Sequence, residues 1–166
     1  TTVGAAGRAS NTSSQANVLI TPSQTGDNVG YDKVYIGGDI GDKNTDLNLN
    51  HSTVIGWGEI NCNDLNINGD TLYIIDNKVT INCYGNINVG KQIGTKYTGR
   101  VINNGTINMK NAGSRINIAK NNELETYGTL VNSRTINFEN YGSSINVGTG
   151  SKKSFGEFYN ILPGVG

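Results

Sequence analysis

With 166 residues, 13 basic against 13 acidic and a single histidine, the chain is long enough for one domain with its own core. It carries neither the basic footprint of a nucleic-acid binder nor the like-charge block of an interaction tail, so no nucleic acid is expected as a partner. Its bias lies in 26 Asn and 23 Gly, both poor in helix interiors, which excludes an all-helical domain, while 35% hydrophobic residues placed at regular intervals argue against disorder.

Residues 1–45 read as a leader followed by a cap or exchange strand. The opening TTVGAAGRAS has no initiating Met and none of the basic and apolar segments of a signal peptide, which fits a mature form after cleavage or a chain cut at that point. Two strand-like runs follow, ANVLITPS and DKVYIGGDI, separated by QTGDNVGY. No run of roughly eighteen apolar residues occurs in the chain, so no membrane insertion is expected.

From 46 to 150 one tripeptide recurs. Ile60-Asn61-Cys62, Ile81-Asn82-Cys83, Ile107-Asn108-Met109 and Ile136-Asn137-Phe138 begin at steps of 21, 26 and 29 residues. Each of the last three is followed by a second copy: Ile87-Asn88-Val89, Ile116-Asn117-Ile118 and Ile145-Asn146-Val147, with Leu47-Asn48-Leu49 and Leu65-Asn66-Ile67 as relatives. Apolar, polar, apolar is the period of a strand with one face buried. A third strand precedes each pair, with Val54-Ile55, Ile74-Ile75, Val101-Ile102 and Leu130-Val131 as its expected inward stretches.

Self-similarity at such a period marks a solenoid or a propeller, and these steps are too short for a propeller blade of about 40 residues. The expected fold is all-β: a parallel β-helix of about 4–5 three-strand coils with terminal strand-rich caps or exchange segments. Ile60, Ile81, Ile107, Ile136, Ile116 and Ile145 form its core ladder, with Phe138 inside by the same alternation. Asn61, Asn82, Asn108 and Asn137, pointing the other way at about 4.8 Å spacing, form an asparagine ladder, either structural or a sugar- or ice-binding row.

Cys62 and Cys83 occupy the same place in adjacent repeats, close enough for a disulfide or for a stack of small apolar thiols. Without CxxC spacing or a nearby His they do not suggest a metal site. Asp39, Asp42, Asp46, Asp64, Asp70 and Asp76 do not recur on stacked positions and read as turn residues that bond their own backbone. His51 has Ser52 beside it and Asp46 upstream, but a triad needs a spatial convergence that adjacency in sequence does not show. One His among turn residues reads as a surface residue, so no catalytic residue and no cofactor is expected. Asn11, Asn50 and Asn104 head glycosylation sequons. Tyr84, Tyr127 and Tyr141 fall in turns and could make a carbohydrate platform. Residues 151–166 form a C-terminal cap or interface segment, with Phe155, Phe158 and Tyr159 as candidate interface residues.

The NNGTINM and NSRTINF repeats, with GSSINVG after them, resemble the β-helical passengers of bacterial autotransporters and filamentous-haemagglutinin-type adhesins over roughly residues 46–150. The resemblance implies an extracellular, surface-displayed rod for adhesion or fibre building. This chain is far shorter and shows no membrane-anchoring barrel or secretion domain. The expected function is an extracellular structural subunit that self-associates head-to-tail or displays an adhesive surface toward cell-surface or matrix carbohydrate. A monomeric carbohydrate-binding module stands second, and a polysaccharide-cleaving enzyme third.

Overall fold

The computed structural model describes residues 8–11, 33–49, 52–67, 71–90, 98–120, 125–148 and 153–161. Among them there are sixteen strands and no helix, as the Asn and Gly content requires. Apart from one terminal pair, neighbouring strands run parallel, an all-β arrangement consistent with a β-solenoid.

The strands form three faces, each visited in turn. The first contains β2 (Lys33–Gly37), the opening half of β5 (Ser52–Cys62), β7 (Thr71–Ile74), β10 (Thr98–Asn103), β13 (Thr126–Asn132) and β16 (Ser154–Asn160). The second contains β3 (Ile40–Gly41), the closing half of β5, β8 (Val79–Cys83), β11 (Thr106–Met109) and β14 (Thr135–Phe138). The third contains β4 (Leu47–Leu49), β6 (Leu65–Ile67), β9 (Ile87–Val89), β12 (Arg115–Ile118) and β15 (Ser144–Val147). Because β5 runs unbroken around a corner, the first two faces are one curled sheet of 11 strands, including β1 (Arg8–Asn11), which lies antiparallel on β2. Parallel winding thus includes β2 and β3 before residue 46 and β16 after residue 150.

The tripeptides stack in register. Ile60 aligns with Ile81, Ile107 and Ile136, and Asn61 with Asn82, Asn108 and Asn137. Ile116 aligns with Ile87 and Ile145 on the third face. Ile60, Ile81, Ile107 and Ile116 are at most 1% exposed, each worth about 1.5–3 kcal/mol of burial. Ile136 and Ile145 pack against the core but are only partly buried.

Two expectations fail for one physical reason: alternation says which way a residue points, not what covers it. Phe138 points with Met109 and Cys83 but is 37% exposed, because β14 is the last strand of the second face among the described residues. On the first face, adjacent residues cannot both face inward. Ile55, Ile74, Val101 and Leu130 are buried, whereas Val54, Ile102 and Val131 lie on the outer side and Ile75 is exposed.

The corner leading into the first face carries a column of glycines, Gly99, Gly128 and Gly156. A Cβ there would stand 2.5 Å from the Gly90 nitrogen, 2.7 Å from the Ala119 nitrogen and 2.8 Å from the Gly148 nitrogen respectively. Those nitrogens belong to residues in the left-handed conformation after each third-face strand, each donating to the coil below: Gly90 to Ile67, Ala119 to Val89 and Gly148 to Ile118.

Candidate interaction site

Much of the outer polar surface is committed to holding coils together. On the second face Asn82 Nδ2 donates to Asn61 Oδ1 at 3.1 Å, Asn108 to Asn82 at 3.0 Å and Asn137 to Asn108 at 2.9 Å. On the third, the same bonds link Asn66 to Asn48, Asn88 to Asn66, Asn117 to Asn88 and Asn146 to Asn117, at 2.7–3.0 Å. In both columns every later coil donates to the earlier one. Nine amides thus spend hydrogen-bonding capacity on one another, which favours the structural reading of the ladder over a ligand row.

A third column lies inside. Asn103, fully buried, donates to Asn132 Oδ1 at 2.8 Å and to the Thr135 carbonyl at 3.0 Å, and Asn132 donates to Asn160 at 2.9 Å. Here earlier coils donate to later ones, because Asn103 Oδ1 is already occupied by the amide of Gly105 at 3.0 Å. This column replaces Ile74, with which Asn103 is in register. Sequence reasoning missed it, although GRVIN, GTLVN and GEFYN repeat its Gly-x-apolar-x-Asn signature.

The carboxylates divide. Asp42 and Asp76 bond their own turns, through the amides of Asn44 and Lys78. Asp46 and Asp64 instead accept the amides of Asp64 and Asn86 one coil on, and Asp39 accepts that of Glu59. Asp70 and His51 lie outside the described residues. No group of three His, Cys, Asp or Glu among the described residues could hold a metal ion.

Cys62 and Cys83 are free, buried thiols in register. The Cys83 thiol donates to the Asn63 carbonyl at 3.1 Å rather than closing a disulfide. Hydrogen bonding with Cys83, and then burial, raises the Cys62 pKa well above its ordinary value, which favours the protonated thiol. Of the sequons, Asn11 lies in β1, Asn50 falls outside the described residues, and half-buried Asn104 donates to the Tyr73 hydroxyl at 3.5 Å.

Among the described residues, the carboxy-terminal end and the first face expose apolar and aromatic side chains. At the end, β14 and β15 have no strand beyond them among the described residues, and their inward side chains surround an open hollow of about 300 Å³ with Ile136, Phe138, Ile145 and Phe158 in its wall. Val147 nearby is 47% exposed. The three aromatics expected at an interface are split by strand alternation: Phe158 joins this apolar floor, whereas Phe155 and Tyr159 point outward from β16, 48% and 47% exposed.

On the outside of the first face, Tyr35, Val54, Tyr73, Ile102, Val131 and Tyr159 follow one another in register. Beside them Tyr127 stacks on Phe155, with centroids 5.0 Å apart and planes 13° from parallel. Tyr127 is therefore a strand residue rather than a turn residue. Tyr84 and Tyr141 do lie in turns, half-buried and 87% exposed respectively. The Tyr127 hydroxyl donates to Glu125 and the Tyr159 hydroxyl to Glu157. Each phenol pKa is raised, first by that hydrogen bond.

Comparison with protein-family models, curated proteins and solved structures finds no match for this chain.

Proposed function

We propose that the protein is a structural subunit: a parallel β-helix of five three-strand coils, with β16 starting a sixth, that joins other copies head-to-tail into a surface rod or fibre. The observation that carries this reading is apolar exposure at the last coil of the described residues. Phe138 and Val147, both on inward positions of the repeat, stand 37% and 47% exposed there. Apolar surface so placed is stabilised when another coil covers it.

The asparagine columns support the head-to-tail direction. At the open end, Asn137 and Asn146 present carbonyl oxygens that accept from nothing among the described residues. Two such ends facing each other would set acceptor against acceptor, which disfavours joining like ends. On the first face β16 has an unpaired upper edge and β1 an unpaired lower edge among the described residues, so β1 of one copy can extend the sheet at β16 of another. A heterologous contact of this kind does not close on itself. The extracellular setting rests on the adhesin-like repeats.

The test is particle shape. Purified protein should form rods in negative stain and sediment faster as concentration rises. The double variant Phe138→Asp, Val147→Asp should remain monomeric with its circular dichroism retained. Wild-type monomers across the whole concentration series would remove the reading.

A further inference from the structure

A shallow cleft of about 200 Å³ opens on the outside of the first face, lined by Thr71, Thr98, Arg100, Tyr127 and Thr129 with backbone between them. It is smaller than the usual pocket for a drug-sized ligand, leaving room for one ring. Three neighbouring strands build it. Arg100 lies between Thr71 and Thr129 in one column, and Thr98 lies directly beside Tyr127 in the next.

The parts are chemically matched. One face of the Tyr127 ring is covered by Phe155, and register puts the other on the Thr98 side, toward the cleft. The Tyr127 hydroxyl is tied to Glu125, which fixes the ring in place. Arg100 is exposed, and its guanidinium has no hydrogen-bond or ion-pair partner among the described residues. Glu157, the nearest acid in the Arg100 column, lies two strands away and accepts the Tyr159 hydroxyl at 2.6 Å. The site therefore combines an apolar ring face, hydroxyl groups and one uncompensated cation with a fork of donors suited to a planar anion.

We propose that this cleft binds one anionic sugar ring, its apolar face on Tyr127 and its carboxylate or sulfate on Arg100. The stacked ring supplies orientation and contact area, and the guanidinium supplies discrimination against neutral sugars. Binding here uses a side wall of the coil and does not depend on contacts at the open end.

Calorimetric titration with trigalacturonate, a sulfated galactose oligosaccharide and neutral galactotriose tests it. Trigalacturonate or the sulfated sugar should bind at least about tenfold tighter than the neutral one, the value of a hydrogen bond to a charged group. Arg100→Gln should abolish that preference without altering the melting curve, Tyr127→Ala should weaken all three sugars, and Tyr127→Phe should retain the preference. Whichever acidic probe binds more tightly identifies the anion. Equal affinity for acidic and neutral probes, an Arg100→Gln variant that keeps the preference, or no binding of any probe at millimolar concentration would each overturn the site.

Discussion

Among the described residues, the first and last coils are made from the same kind of strand yet differ in how far their inward side chains meet solvent. At the amino-terminal end the inward residues Ile36, Ile40, Leu47 and Leu49 are 1–3% exposed, and β1 runs antiparallel along the edge of β2. At the carboxy-terminal end Phe138 and Val147 hold equally inward positions and are 37% and 47% exposed. A strand in a parallel stack is thus buried by what lies above and below it as much as by its own alternation.

Alanine at the same rung position in two coils separates these effects most strongly. Ile107→Ala should cost about 2–5 kcal/mol, the range for deleting a buried Ile side chain, and Ile136→Ala less than half of whatever Ile107→Ala costs. Urea unfolding of the monomer reads both. Equal losses would mean that the open end is covered in solution and would break the contrast.

A smaller difference is expected between asparagines. Asn103→Ala leaves the buried Gly105 amide without its acceptor and should cost about 1–3 kcal/mol, whereas Asn137→Ala, at the exposed end of an outer column, should stay within about 0.5 kcal/mol. If the two match, the inner column is not a structural strut.

The smallest effect is in pH. Tyr127 and Tyr159 keep their protons above the ordinary phenol value of about 10 because each hydroxyl donates to a glutamate. The unfolded chain loses those protons first, so this contribution is whole below the ordinary value and fades as pH rises through the folded one. Ultraviolet titration should show two late phenols, and Glu157→Gln should return one of them to the ordinary range. Both late phenols surviving that substitution would assign the shift elsewhere.

Much of the coil is legible from residues such as Ile60, Asn61 and Cys62, because a strand that must stack on its equivalent repeats both its facing and its partner. The inner column was equally written, in the Gly-x-apolar-x-Asn signature, but Asn103 looks like a turn residue until its register with Ile74 is known. Phe138 could not be placed from alternation, since the missing neighbour is not a property of its own strand. The cleft around Arg100 was illegible for a different reason: Thr71, Arg100 and Thr129 are brought together only by inter-strand register. Asp46 and Asp64 misled because the same short side chain that closes an Asx turn can reach the next coil instead.

The glycine column carries a consequence for how such a molecule changes over generations. With backbone 2.5–2.8 Å from each absent Cβ, Gly99, Gly128 and Gly156 admit no side chain, so the girth of those coils is locked where the chain enters its first face. Segments outside the strands can lengthen, and a whole unit from Gly99 to Gly128 can be duplicated, without disturbing that girth. Height is the dimension left open to descent.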